Sequence, residues 1–146
     1  MAVTVVALTA GTGVANAAPS PGAPGVGDTY FPDYGNGGYD VDHYDIRVRY
    51  WPETDKLTGT TTILAHSTQD LSRFNLDFVL DVSSVRVNNR AATFSRQGNH
   101  ELVVTPDRPV LKGAPLTVVV QYFGIPSEVA VNGYTGWNRT EDGAWR

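Results

Sequence analysis

From Tyr44 the chain alternates: Tyr44, Ile46, Val48 and Tyr50 fall on one side of an extended backbone, and Asp45, Arg47 and Arg49 on the other. A period of two is the mark of an antiparallel strand with one buried face. Pro52-Glu53-Thr54-Asp55-Lys56 is a turn by composition. A second strand follows, with Leu57, Gly59, Thr61, Ile63 and Ala65 opposed to Thr58, Thr60, Thr62, Leu64 and His66. Its threonines are β-branched and favour the extended backbone. Phe74, Leu76 and Phe78 then alternate with Asn75 and Asp77.

Val85 and Val87 lead into Asn88-Asn89-Arg90, a tight turn whose asparagines tolerate positive φ, and Ala91 to Ser95 is expected to pair back. Arg96-Gln97-Gly98-Asn99 turns the chain again into a strand from Glu101 to Thr105, and residues 106–115 form a loop. Leu116 to Phe123 is the most apolar run, which predicts a central strand covered on both faces. No window carries a helical stripe, so the predicted fold is an all-β, mostly antiparallel sheet domain.

Ahead of the strands lie two segments of different character. Ala2 to Leu8 is a short apolar run followed by small residues and Ala15-Asn16-Ala17. This pattern predicts a secretory signal peptide over residues 1–17, although no Lys or Arg precedes the apolar run. The run is too short to span a bilayer. Residues 18–27, rich in Pro, Gly and Ala, predict a flexible leader. Residues 28–124 make up the β-sheet domain, opened by an irregular arm containing Tyr30, Phe31 and Tyr34. Residues 125–146 read as an irregular, incomplete end of the same domain.

Composition narrows the function classes. Hydrophobic residues at 41% and charged residues at 18% suit a folded globular chain. A net charge of -4 argues against a nucleic-acid surface, which needs a basic stripe to displace counterions. With no cysteine, disulfides and thiolate metal sites are excluded. The expected setting is extracellular, without membrane or nucleic-acid partners.

Candidate chemistry is sparse. His100-Glu101 opens like a zinc-protease helix, but that chemistry needs a second imidazole at i+4, and position 104 is Val within a strand pattern. His43 and His66 have no histidine near them in sequence and read as surface residues. Asp40, Asp42 and Asp45 resemble a calcium loop only until positions six and twelve, where Asp45 and Trp51 replace the required glycine and glutamate. Gly35-Asn36-Gly37-Gly38 lacks the lysine and helix of a phosphate loop. Asn138-Arg139-Thr140 fits an N-glycosylation acceptor, and no Gly-x-Ser-x-Gly elbow exists. No catalytic, cofactor-binding or metal-ligating residue is therefore assigned.

The order of these elements resembles a known family. Gly38-Tyr39-Asp40-Val41-Asp42-His43-Tyr44-Asp45-Ile46 is similar to the opening H-Y-D-L strand of the amino-terminal domain in the aminopeptidase N family of gluzincin zinc metallopeptidases. Gly59-Thr60-Thr61-Thr62-Ile63, Asn75-Leu76-Asp77 and Ser84-Val85-Arg86-Val87-Asn88 continue the series. Leu111-Lys112-Gly113, Val120-Gln121-Tyr122-Phe123-Gly124 and Gly136-Trp137 complete it, most like exported bacterial members.

The resemblance implies a saddle-shaped β domain that covers a catalytic domain, so that only peptide ends reach the zinc and amino-terminal residues are released. The family's H-E-x-x-H helix and G-x-M-E-N strand do not occur here, and Asn138 stands where members usually carry an aromatic residue. The resemblance thus implies a chain truncated before the catalytic domain, inactive alone and binding no zinc itself. Its partner would be that domain, in cis or in trans. The other reading is a free-standing secreted binding module for a glycan or protein, with Tyr30, Tyr34, Tyr39 and Trp51 as stacking surfaces.

Overall fold

The computed structural model describes residues 17–32, 34–131, 133–141 and 143–145, and the expected signal peptide over residues 1–17 lies almost wholly outside them. Strands β1 (Ser20–Pro21), β2 (Tyr39–Trp51), β3 (Lys56–Ser67), β4 (Leu71–Asp77) and β5 (Asp81–Val87) come first. They are followed by β6 (Arg90–Ala91), β7 (Thr93–Gln97), β8 (Glu101–Thr105) and β9 (Pro115–Gly124). A 3-10 turn (Pro126–Glu128) precedes two short hairpins, β10 (Ala130–Val131) with β11 (Tyr134–Thr135) and β12 (Asn138–Arg139) with β13 (Ala144–Trp145).

The main strands form two sheets, ordered β2-β3-β9-β5-β6 and β1-β4-β8-β7. Every pairing is antiparallel except the short β1–β4 contact. Among the described residues no helix is long and apolar enough to cross a membrane.

The core lies between the two sheets and follows from the alternation. Leu57, Ile63 and Ala65 of β3, Leu116, Val118, Val120 and Tyr122 of β9, and Val85 and Val87 of β5 are buried. They meet Leu71, Phe74 and Leu76 of β4 and Leu102 and Val104 of β8. Antiparallel pairing keeps this face continuous, since Ile63 lies opposite Val118, which lies opposite Val87. β9 is central as expected, but it is covered on one face only. Thr117, Val119, Gln121 and Phe123 point away from the core and are half-buried or exposed. The physical reason is that, among the described residues, no third layer covers them.

The turns follow local chemistry. Asn88 and Asn89 have φ of 48° and 65°, so both central residues of the β5–β6 turn are left-handed, as a two-residue hairpin requires. The return strand differs from expectation: Arg90–Ala91 pairs with β5, and the chain then crosses so that Thr93–Gln97 pairs with β8 in the other sheet.

Two terminal segments are more ordered than their composition suggests. Residues 18–27 are not a free tether, because Ser20 donates its N–H to the Asp70 carbonyl at 2.8 Å and Gly22 to that of Arg73 at 2.9 Å. In the segment after β9, Ser127, Trp137 and Arg139 are tied to the β2–β3 turn and its flanks. Trp137 stacks edge-on against Tyr50, and Arg139 donates to the Pro52 and Glu53 carbonyls at 2.9 Å each. Asp55, 3% exposed, accepts from the Tyr50 hydroxyl at 2.7 Å, from the Ser127 N–H at 3.2 Å and from the Ser127 hydroxyl.

Gly59 sits inside β3 where a Cβ would lie 2.3 Å from the Tyr122 ring. Gly59→Ala is expected to destabilise the chain by about 1–3 kcal/mol, because the buried ring must shift out of a filled position. The reading is a lower urea midpoint at constant m-value; an unchanged midpoint would mean that the ring swings clear without cost.

Candidate functional site

Strand alternation sends Phe74 and Leu76 into the core, so Asn75 and Asp77 point to the outer face of the four-stranded sheet. The β4–β8 register sets Asp77 directly opposite Glu101. Like charges facing each other across a strand pair are destabilising, more so with little solvent to screen them. Glu101 is 8% exposed. Its Oε2 accepts from the Asn75 side chain at 2.9 Å, while its Oε1 is buried and accepts no hydrogen bond.

The irregular arm closes over this pair. Gly35 donates its N–H to Asp77 Oδ2 at 2.7 Å, and the Asn36 amide donates to Oδ1 at 3.1 Å. Tyr34 stacks on His100, with ring centroids 4.8 Å apart and planes 10° from parallel. His100 Nε2 lies 3.7 Å from Glu101 Oε1. Burial pushes the Glu101 carboxyl above its ordinary value, and the Asp77 charge adds to this, while the Asn75 hydrogen bond and His100 oppose it. Burial likewise pushes the Tyr39 phenol up, and its hydroxyl donates to the Asn75 carbonyl at 2.8 Å.

Beside the cluster runs an apolar groove of about 770 Å³. Phe31 and Tyr34 of the arm form one wall, Phe78 and Leu80 the floor, and Tyr134 and Trp137 the far side, with Asp77 and His100 at its end. A second hollow of about 440 Å³ opens on the other side, where the four-stranded sheet stops short of β2. There Tyr44, Ile46 and Val48 are 53%, 61% and 56% exposed. The alternation of β2 is as expected, but its apolar face is bare because the opposing sheet does not reach it. The faces of β9 behave differently: Leu116, Val118, Val120 and Tyr122 are satisfied within the chain.

The remaining candidates stay apart. Asp42 pairs with His66 at 2.6 Å and Asp45 with Arg47 at 2.8 Å, so Asp40, Asp42 and Asp45 form no calcium cage. His43 is exposed on β2. Gly35 and Asn36 of the glycine-rich stretch donate to the Asp77 carboxylate, which is the wrong charge for a phosphate neighbour. Asn138 is exposed in its hairpin.

Tyr30, Tyr34, Tyr39 and Trp51 do not assemble into a stacking platform. Tyr39 packs on Phe74, Tyr34 covers His100, and Arg49 lies 4.7 Å over the Trp51 ring. His100-Glu101 lies at the start of a strand with Val104 fully buried, so the family's helical zinc site has no counterpart in these residues. The sequence reading missed the Asp77–His100–Glu101 grouping: His100 and Glu101 are neighbours in sequence, but Asp77 lies 23 residues before His100, and only the sheet register brings it to them.

The raised Glu101 carboxyl has a definite sign. The folded chain holds a proton that the unfolded chain has already lost, so this contribution to stability is greatest at acid pH and fades as pH rises through the raised value. Glu101→Gln should flatten this fall as pH rises above the ordinary carboxylate range, read by urea unfolding at several pH values. An unchanged slope would show that Glu101 ionises normally.

No family model and no curated protein matches the sequence. Solved structures do match. An M1 zinc metallopeptidase from Deinococcus radiodurans overlays on 79% of the chain with a TM-score of 0.65 and 29% identity. A variant of it bound to a Tyr-Ser-Ala substrate gives 0.66 and 30% over 79%. A two-domain M1 zinc metallopeptidase variant bound to L-arginine gives 0.66 and 28% over 80%. The chain spans 27% to 28% of the length of these structures.

Proposed function

We propose that this chain, whose fold is that of the amino-terminal β domain of M1 zinc metallopeptidases, is the non-catalytic part of an exported zinc aminopeptidase and covers the active site of its catalytic domain. The observation that carries the reading is the overlay on an M1 zinc metallopeptidase across four-fifths of this chain but little over a quarter of the other. That pattern is what one domain of a larger hydrolase gives. The sequence contains no H-E-x-x-H, so the chain supplies no zinc ligand to the family's catalytic centre and no step of peptide hydrolysis is assigned to it. The catalytic ion, held by the partner domain, would polarise the peptide carbonyl and activate water.

The bare strip on β2 supports the docking side of this reading. Tyr44, Ile46 and Val48 line one continuous strand face beside the hollow formed with Tyr39 and Ile63. Domain interfaces within one chain commonly cover some 600–1,500 Å², and contiguous apolar strips are the usual anchor of such contacts. The opposite face of the same sheet is dominated by threonines and charged side chains, which suits solvent.

The test is association with an M1 catalytic domain supplied as a separate polypeptide. Tyr44→Asp and Ile46→Asp should each weaken binding roughly ten- to hundredfold, the equivalent of leaving one large apolar side chain unburied. Thr60→Asp, on the opposite face, should leave it unchanged. Binding that ignores the β2 variants, or no binding at all, would overturn the proposal.

A further inference from the structure

We propose that β2 is a self-complementary edge, along which two copies of this chain pair antiparallel about a two-fold axis at Ile46. The pairing joins their two five-stranded sheets into one continuous sheet. It concerns the chain by itself and does not rest on the catalytic-domain reading, which uses the face of β2 and not its edge.

β2 closes one side of its sheet, so one row of its backbone N–H and C=O groups has no strand partner among the described residues. A long straight edge templates pairing with another chain unless Pro, Lys, a bulge or a covering segment blunts it. β2 is 13 residues long, and its register shift lies near its start, between Val41 and His43. From Tyr44 to Trp51 the pairing with β3 is unbroken, and this stretch contains neither Pro nor Lys. The same stretch carries Tyr44, Ile46 and Val48, all more than half exposed.

Charge complementarity selects a second copy as the occupant. A two-fold contact sets residue i against j and j against i. With the axis at Ile46, Asp45 falls opposite Arg47 of the second copy, and Arg47 opposite its Asp45. On the other face Tyr44 meets Val48 and Ile46 meets itself, so the apolar strips run on from copy to copy. Opposite charges and apolar pairs facing each other across strands are the pairings that stabilise a sheet. Within one copy Arg47 already reaches Asp45 at 2.8 Å, and their side chains are 80% and 41% exposed, open to exchange partners across the seam.

Neighbouring registers fail on the same grounds. An axis at Asp45 or at Arg47 sets two like charges face to face, and an axis at Val48 sets Arg47 against Arg49. An axis between two residues turns the apolar strips to opposite faces of the joined sheet.

The experiment is sedimentation equilibrium of the full chain alone over a wide concentration range. A closed monomer–dimer equilibrium is expected. Asp45→Arg and Arg47→Asp should each weaken dimerisation at least tenfold. Mixing these two variants should restore a dimer, and so should combining both changes in one chain, because every seam pair is then again of opposite sign. Tyr134→Ser, in the aromatic groove, should change nothing. The chain has no cysteine, so Ile46→Cys adds one thiol that meets its own counterpart and should cross-link on oxidation. Val48→Cys, whose counterpart lies about 14 Å along the seam, should not. A monomer at the highest soluble concentration, open-ended aggregates, charge variants that dimerise like the parent or are not rescued by mixing, or loss of the dimer in Tyr134→Ser would overturn the proposal. None of these outcomes bears on association with a separate catalytic domain, which is measured independently.

Discussion

The structure rests on one apolar face that must be buried between two sheets. Ile63, Leu116, Val118 and Val120 on one side and Phe74, Leu102 and Val104 on the other are each 5% exposed or less. A chain without disulfides has no covalent tie to limit its unfolded state, so this layer supplies most of its cohesion. The constraint is geometric as much as energetic. A one-residue slip in any strand would turn its apolar set outward, so burial of this face also fixes every register in the molecule.

Several functional features are consequences of that register. Once Phe74 and Leu76 commit to the core, Asp77 must point away from it, and pairing of Leu76 with Leu102 places Glu101 beside it. The acidic pair is thus imposed by apolar packing one residue away. The arm then closes this exposed edge with hydrogen bonds instead of apolar contact. The bare strip on β2 has the same origin: the five-stranded sheet is wider than the four-stranded sheet laid over it, so its outer strand keeps an apolar face without a partner.

The terminal segment shows a second way of anchoring irregular chain. It has few apolar residues to bury, yet Asp55 and the carbonyls of Pro52 and Glu53 collect donors from Ser127 and Arg139. Trp137 adds a ring contact with Tyr50. The first hairpin turn therefore acts as a dock for residues more than seventy positions later. Composition alone suggested a loose end, since nothing in a turn sequence reveals which distant donors it will accept.

By itself the sequence determined the fold class, the positions of the main strands, the inward set on β3, and the Asn88-Asn89 turn. Those depend on neighbours one or two residues apart, where period-two alternation and the sterics of φ act directly. It also carried the resemblance to the aminopeptidase N family, through motifs spaced from Gly38 to Trp137. Only the tertiary structure decided that Ala91 and Thr93 serve different sheets, that β9 is covered on one side, and that β2 leaves Tyr44, Ile46 and Val48 exposed. It alone brought Asp77 to His100 and Glu101. Each of these depends on which strands become neighbours and how far one sheet extends over another, and such long-range contacts leave no local periodicity to read.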